Sequence, residues 1–166
     1  MQLLRLTVLM GEAYFCKKPG MKNRKVFIKE GKENMDVNLI HKYLSEESYW
    51  AKGISYRFVE NSLGNSFNIG AFVDDKQIGF GRVITDYYTF GWLADFFVLE
   101  EYRGQGISKM MLSYLSDQPW YNRLRRVMLN TSSAQGLYRQ FAFGDLANPT
   151  YIMEIHRPDI YLAKHE

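Results

Sequence analysis

The stretch FGWLADFFVLEEYRGQGISKMMLSYL, Phe90 to Leu115, contains an apolar run, two closely spaced glycines and a helical pattern, in that order. The bulky residues of the first part predict a β-strand. Residues 107–115 carry apolar side chains at helical spacing, so a helix is expected to begin near Ile107. Gly104 and Gly106 therefore fall in the turn that leads from the strand into the helix.

A turn of this kind is suited to binding an anion. It presents unpaired backbone N–H groups and the positive end of the helix dipole. Glycines let a phosphate approach the backbone closely, and Arg103 adds a guanidinium that matches phosphate oxygens. A tight turn without a ligand is the alternative interpretation. Known phosphate motifs do not decide between them, since Lys109 stands where the dinucleotide fingerprint needs a third glycine and no P-loop is present.

The rest of the chain alternates between strand and helix patterns. Its 166 residues, with 46% hydrophobic and 23% charged residues, fit one globular α/β domain. Strands are expected over Val26 to Lys29, a hairpin over 66–88 turning at Asp74, Asp75 and Lys76, and further strands over 90–102, 125–130 and 150–156. Helices are expected after an Asp36 cap, over Arg57 to Leu63, from Ile107 to Pro119, and from Ala134 to Gly144.

Residues 1–20 are set apart from this pattern. Their apolar run is short and contains Arg5, so it is too short to span a membrane. A secretory signal would need a cleaner apolar centre. A first strand is one interpretation. We favour an N-terminal extension over residues 1–20, followed by the domain over 21–166.

Charge and cysteine content exclude several classes of protein. The net charge is +3, and the basic runs at 22–25 and 123–126 are typical of solvated faces, so no nucleic-acid partner is expected. The single cysteine, Cys16, excludes an internal disulfide and favours a reducing, cytoplasmic location. The three histidines show no metal-ligand spacing, so no metal is expected. Nothing in the sequence indicates a membrane partner.

The segment from Phe90 onward resembles the core of the GNAT N-acetyltransferase superfamily. That family carries [Q/R]-x-x-G-x-[G/A] between its fourth strand and third helix, and the stretch from Arg103 to Ser108 fits it except that serine replaces the last small residue. The later LYRQFAFG, Leu137 to Gly144, is similar to the family's fourth helix. The resemblance runs from Ser66 to Ile155 and implies one GNAT-like domain of the α+β type, with a mixed, mostly antiparallel sheet flanked by helices.

The resemblance also implies acetyl-CoA as co-substrate and direct attack by an amine, without an acyl-enzyme. The pyrophosphate would lie on Arg103, Gly104, Gln105, Gly106, Ile107 and Ser108. The pantetheine arm would pair with the strand end at Phe97, Val98 and Leu99. The sequence agrees in lacking a nucleophile elbow or a recognisable Cys–His pair.

Tyr138 and Asp95 are the candidate catalytic residues. A tyrosine at the matching place in relatives often protonates the departing sulfur, and a phenol of pKa about 10 can donate to a thiolate of pKa about 8.5. Packing in the core is the alternative for Tyr138. Asp95 is expected on the same strand face as Leu93 and Phe97, where burial would raise the pKa of a carboxyl and suit a general base. A structural hydrogen bond is its alternative role.

The acceptor site is less marked in the sequence. Arg57, Asp86 and Trp92 are candidates for substrate binding, and Asp86 is also a second candidate base. Relatives carry an acidic residue where Ser133 stands, which leaves a charged role there in doubt. We expect transfer of acetyl to the primary amine of a small molecule. A non-catalytic acyl-CoA sensor is the alternative function, and a homodimer through the aromatic closing segment is left open.

Overall fold

The computed structural model describes the backbone of residues 13–15 and the chain from 25 to 162. Its strands are β1 Ala13–Phe15, β2 Lys25–Glu30, β3 Phe67–Val73, β4 Lys76–Thr85, β5 Phe90–Val98 and β6 Arg126–Leu129. Its α-helices are α1 Val37–Lys42, α2 Tyr56–Gly64, α3 Ile107–Ser116 and α4 Gln135–Tyr138. None of the helices in this part of the chain is long and apolar enough to cross a membrane.

The strands form one mixed sheet in the order β1-β2-β3-β4-β5-β6. The first four pairings are antiparallel, and β5 and β6 are parallel. A parallel pair needs a long crossover, which α3 supplies. The predicted fold class, a mostly antiparallel mixed sheet flanked by helices, is confirmed.

Local sequence signals account for the turn and for the helix starts. Asp74 and Asp75 have φ of 49° and 62°, as a two-residue hairpin turn between β3 and β4 requires, so Lys76 belongs to the strand. The Asp36 carboxylate accepts a hydrogen bond from Leu39 N at 3.0 Å and caps α1, as predicted. Ser55 caps α2 in the same way. α2 covers the predicted helix over 57–63.

Two apolar cores lie on the two faces of the sheet. One contains the buried face of α3, with Met111 and Leu115, and extends to Tyr138 of α4. The other lies under α1 and α2 and includes Leu44, Phe80 and Phe97. Both cores draw residues from the central strands, so these strands are buried on both faces.

A β-bulge in β5 changes which face its side chains occupy. The pairing with β4 shifts register between Phe80 and Arg82, and Asp95 opposite it has a left-handed φ of 57°. Leu93 therefore packs in the α3 core, whereas Phe97 packs in the α1–α2 core. The predicted common face of Leu93, Asp95 and Phe97 is wrong, because simple alternation does not hold across a bulge.

The C-terminal third departs most from the predicted elements. β6 is half-exposed at the edge of the sheet rather than buried. α4 ends at Tyr138 and continues as a 3₁₀ turn over Arg139–Phe141, which stops at Ala142 with its left-handed φ of 64°. The strand predicted over 150–156 is not formed. A 3₁₀ turn at Pro149–Tyr151 is followed by Ile152 in an extended conformation and by residues 153–157 without regular secondary structure.

Only part of the predicted N-terminal extension lies within the described residues. Ala13–Phe15 pairs antiparallel with Lys25–Phe27 and adds a short edge strand to the sheet. That stretch fits a first strand, the alternative considered for this region. Residues 1–12 and 16–24, with Cys16 among them, lie outside the described residues, so the boundary near residue 20 stays a prediction.

Candidate active site

The turn before α3 has the backbone that a phosphate cradle needs. Gly104 and Gly106 have φ of 71° and 82°, in the left-handed region that glycine occupies without strain. Gly106 is the N-cap of α3 and has no side chain, so it does not cap the first N–H groups of the helix. The first turn also contains no acidic residue. The end of the helix is therefore electropositive and open to an anion.

Open space lies where an anion would approach. A Cβ built on Gly106 meets no heavy atom within 4 Å. Ile107 is buried at 1% exposure and fixes the helix to the sheet, while Ser108 is half-buried. Lys109 is exposed one residue further on. These residues fit the pyrophosphate group of a nucleotide cofactor.

Arg103 has a structural contact that the sequence did not predict. Its Nε donates to the Val98 carbonyl at 3.0 Å, and one terminal nitrogen donates to the Tyr43 hydroxyl at 3.2 Å. The guanidinium thus ties the turn to the end of β5 and to the helical segment that follows α1. Gln105 likewise donates to the Glu101 carbonyl at 3.2 Å. Their side chains hold the shape of the cradle, in addition to any contact with a ligand.

A gap opens between β5 and β6 beside this turn. The two strands pair only from Phe90 with Arg126 to Leu93 with Leu129. β5 continues to Val98, so its last residues have no β6 partner on that side, whereas β4 still pairs with Val98. Phe97 is buried against Tyr43, with ring centroids 3.8 Å apart and planes at 8°. The predicted pantetheine-binding residues thus lie where β5 has no β6 partner, although Arg103 occupies the Val98 carbonyl and Leu99 N donates to the Ile78 carbonyl at 2.9 Å.

Tyr138 is a buried phenol near the other side of the gap. Its side chain packs in the α3 core, and the Phe143 ring lies edge-on at 5.7 Å. Burial, with a smaller contribution from nearby Tyr49, raises the pKa of Tyr138 to about 12. Within the described part of the chain its hydroxyl has no hydrogen-bond partner. Tyr138 therefore holds its proton at neutral pH and has a free donor.

Aromatic residues of the α1–α2 loop reach across the gap. The Tyr49 hydroxyl accepts a hydrogen bond from Ser132 Oγ at 2.7 Å and lies 3.3 Å from Ser132 N, which joins this loop to the loop after β6. Trp50 packs edge-on against Tyr49 at 5.0 Å and donates from Nε1 to Asp95 Oδ1 at 3.0 Å. The loop thus contacts both walls of the gap. Together these contacts outline a cleft around the end of β5.

Asp95 also forms an ion pair. Arg82 Nε donates to Asp95 Oδ2 at 2.6 Å, and the two side chains are 15% and 11% exposed. Both carboxylate oxygens are therefore engaged, one by Arg82 and one by Trp50. This arrangement favours the structural hydrogen-bonding role that the sequence offered as the alternative to a base.

The remaining predicted substrate residues lie in three different places. Asp86 is exposed in the β4–β5 turn, where it accepts hydrogen bonds from Thr89 Oγ1 at 2.6 Å and from the N–H groups of Tyr88, Thr89 and Phe90. These bonds hold the pKa of Asp86 well below its usual range, the Thr89 hydroxyl having the largest effect. Trp92 is half-buried on β5 between Ile84 and Met128. Arg57 is exposed at the start of α2, and no contact to another described residue ties it to the gap.

The sequence did not single out several residues of the cleft. Tyr49, Arg82 and Ser132 acquire their places from contacts between segments far apart in the chain, the Tyr49–Ser132 pair being separated by 83 positions. The one sequence signal was the aromatic pair Tyr49–Trp50 between two helical patterns, since exposed rings in a loop often bind ligands.

Comparison with known proteins identifies the family. The family model of the acetyltransferase (GNAT) domain matches residues 65–144, which include the glycine turn, the gap and Tyr138. A solved structure of the GNAT family from Xanthomonas campestris pv. campestris, described provisionally as an acetyltransferase, is 39% identical. The match covers 83% of this chain and 97% of that one, with a TM-score of 0.81. The chain belongs to the GNAT acetyltransferase family.

Two further relatives place this GNAT chain in context. An acetyltransferase structure from Clostridium acetobutylicum, solved with acetyl-CoA, covers 84% of this chain and 99% of its own at 16% identity, with a TM-score of 0.57, and so shares the fold. A Gibberella zeae protein named provisionally as an acetyltransferase is 43% identical over 65 residues, or 38% of this chain. The matched part is 36% of that relative's length. No group of three His, Cys, Asp or Glu side chains arranged for a metal ion occurs in the described part of this GNAT chain.

Proposed function

We propose that this GNAT chain transfers an acetyl group from acetyl-CoA to the primary amine of a small molecule. The observation that carries the proposal is the separation of β5 from β6 after Leu93 and Leu129, directly beside the uncapped glycine turn of α3. A cofactor whose phosphates bind at that turn would extend its acyl arm along the free edge of β5. We further propose that the reaction takes place in the cytoplasm, as the single cysteine suggests.

Binding of acetyl-CoA would use backbone more than side chains. The N–H groups at the start of α3 and the left-handed Gly104 and Gly106 would hold the pyrophosphate. The edge of β5 at Phe97 to Leu99, which has no β6 partner, would receive the pantetheine arm as an added strand does, with Arg103 already bonded to the Val98 carbonyl. Acetyl-CoA supplies an activated thioester carbonyl, and the protein supplies orientation and charge stabilisation around it.

The acceptor amine would enter through the aromatic cleft. Tyr49 and Trp50 offer ring faces that attract an ammonium group by cation–π contact. Arg82 is neutralised by Asp95 in an ion pair of 2.6 Å, so it does not repel a cation strongly. The exposure of Tyr49, 68%, leaves the cleft open to solvent, which suits release of the amine's proton to water.

The reaction would proceed by direct attack. The neutral amine nitrogen forms a bond to the thioester carbonyl carbon, the carbon–sulfur bond breaks, and the sulfur departs with the bonding electron pair. Tyr138 would donate its hydrogen bond, and finally a proton, to this sulfur while the ammonium proton leaves to water, and the Tyr138 phenolate then regains a proton from water. Its pKa of about 12 keeps the donor protonated but makes full transfer less favourable than from a free tyrosine. Stabilising the developing thiolate is therefore the larger part of its proposed role.

Calorimetry and a turnover assay test the proposal in sequence. Acetyl-CoA is titrated into the intact chain and into Gly106→Trp, in which the indole fills the space in front of the turn. We expect binding by the intact chain and its loss in the variant with the fold retained, as judged by circular dichroism. Release of free CoA thiol is then followed with a panel of small primary amines.

Each outcome decides between the alternatives. Thiol release that depends on the amine and falls in Tyr138→Phe supports acetyl transfer. Binding of acetyl-CoA without turnover on small amines or lysine-containing peptides would favour the acyl-CoA sensor. Absence of binding by the intact chain would rule out both functions.

A further inference from the structure

Arg82 has hydrogen-bonding capacity that the folded chain leaves unused. Its Nε donates to Asp95 at 2.6 Å, and the side chain is only 15% exposed. Its two terminal nitrogens have no hydrogen-bond partner among the described residues, and both are accessible to solvent. The terminal nitrogens of a guanidinium form a planar fork that binds a carboxylate through two parallel hydrogen bonds. Arg82 is therefore a largely buried donor pair with room for an anion.

Arg82 lies on the side of the sheet that borders the proposed acceptor cleft. The next residue, Val83, packs in the α3 core, so strand alternation places Arg82 on the opposite face. Trp50 of the α1–α2 loop bonds to the same carboxylate, Asp95, at 3.0 Å, so the guanidinium lies beside the aromatic wall of the cleft. Neighbouring strands are about 4.8 Å apart, so a small molecule bound at Arg82 on β4 reaches the edge of β5 that has no β6 partner.

An apolar row of Ile84, Trp92 and Met128 lies next to Arg82. Ile84 pairs with Trp92 and Trp92 pairs with Met128, so β4, β5 and β6 each contribute one side chain to the same face. Leu93, which follows Trp92, packs in the α3 core, and this places the row on the face of Arg82. Ile84 is 43% exposed, and none of the three packs in either core of the described chain. The row is therefore available to the apolar part of a ligand.

We infer that the acceptor is an apolar amino acid whose carboxylate binds to the terminal nitrogens of Arg82. This inference rests on the proposed acetyl transfer and names its substrate class. The side chain of the amino acid would lie on the apolar row, and its amine would face the gap between β5 and β6. An amine without a carboxylate would leave the fork of Arg82 unused. The transfer itself is unchanged: the N–C bond forms as the C–S bond breaks, the amine's proton leaves to water, and the carboxylate takes no part.

Matched pairs of amines test the inference by release of CoA thiol. Phenylalanine, leucine and tryptophan are compared with 2-phenylethylamine, 3-methylbutylamine and tryptamine, which lack only the carboxylate. We expect kcat/KM to favour the amino acid by about tenfold or more, as a charge-assisted hydrogen bond provides. Arg82→Lys keeps a positive charge beside Asp95 but removes the fork, so this preference should fall by about tenfold, chiefly through KM. Arg139→Lys, which alters an exposed pair with Asp145, is the matched control and should keep the preference.

Calorimetry separates this test from the test of the proposed function. The same six compounds are titrated into the intact chain and into Arg82→Lys, with and without CoA. Binding of an amino acid that Arg82→Lys weakens, without thiol release from any amine, would contradict acetyl transfer and retain the carboxylate site. Equal turnover of the paired compounds, or a preference that survives in Arg82→Lys, would overturn the inference and leave acetyl transfer standing. Absence of both binding and turnover for all three amino acids would overturn the inference too.

Discussion

The indole N–H of Trp50 donates to Asp95 at 3.0 Å, and this bond joins the α1–α2 loop to the bulge of β5. Asp95 has a left-handed φ of 57° and receives a second hydrogen bond from Arg82. The bulge ends regular alternation where β5 loses its β6 partner. One carboxylate thus stabilises the irregular backbone and positions an aromatic wall of the cleft.

The first prediction separates a positioning Asp95 from a base. Asparagine tolerates a left-handed φ and keeps an acceptor for Trp50. We therefore expect Asp95→Asn to retain kcat within about tenfold and to raise the acceptor KM, whereas loss of a general base costs about 100-fold or more. Steady-state kinetics with saturating acetyl-CoA measures both constants. A kcat loss of 100-fold with unchanged KM would instead assign the base to Asp95.

The second prediction concerns the glycine turn. Gly106→Ala should lose about 1 kcal/mol of unfolding free energy, because φ of 82° strains any L side chain. Its Cβ also enters the space proposed for phosphate, so affinity for acetyl-CoA should fall roughly tenfold or more. Gly64→Ala is the control, since the nearest atom to its Cβ is Lys32 Nζ at 3.9 Å and its φ is unstrained. Equal acetyl-CoA affinity in the two variants would argue against phosphate at Gly106.

The third prediction tests Tyr138 against a second tyrosine. Burial raises the pKa of Tyr121 to about 12 as well, but Tyr121 lies beside Trp120 beyond the end of α3. Tyr138→Phe should lower kcat about 100-fold with little change in KM, as expected for loss of a proton donor. Tyr121→Phe should leave both constants unchanged. Equal kinetics of the two variants would reduce Tyr138 to a core residue.

The fourth prediction follows from the pKa of Tyr138. Its folded value of about 12 exceeds the usual 10.0, so the folded state keeps a proton that the unfolded state loses at high pH. The stabilisation is fully present below pH 10 and disappears as the pH rises toward 12, by about 2 kcal/mol. Urea unfolding across this range should show a shallower decline for Tyr138→Phe than for the intact chain. Parallel declines would contradict the raised pKa.

The fifth prediction assigns Asp86 to the β4–β5 turn. Its lowered pKa means that its contribution to stability is present above about pH 4 and is lost as the pH falls further. Asp86→Ala should therefore lower Tm at pH 7 and weaken the acid dependence, and Thr89→Val should do so in part. Both variants should keep kcat. A large loss of kcat in Asp86→Ala with an unchanged Tm would restore Asp86 as a substrate or catalytic residue.

Local signals in the sequence predicted most of the framework of the fold. The Asp74–Asp75 turn, the Asp36 cap and the start of α3 at Ile107 all depend on residues within a few positions of each other. The glycine turn was predicted for the same reason. The alternating pattern of 150–156 predicted a strand that the structure does not form. A strand also needs a partner strand to pair with, and a local pattern does not supply one.

The sequence by itself determined the glycine turn, the helix that follows it and the tyrosine of α4. Only the tertiary structure decided that Tyr49 hydrogen-bonds to Ser132 and that Arg82 and Trp50 both donate to Asp95. It also decided that β5 extends beyond its pairing with β6. The physical reason is the sequence separation between the residues that interact. Backbone conformation and capping are set by neighbours along the chain, whereas a cleft is made by side chains that folding brings together from distant segments.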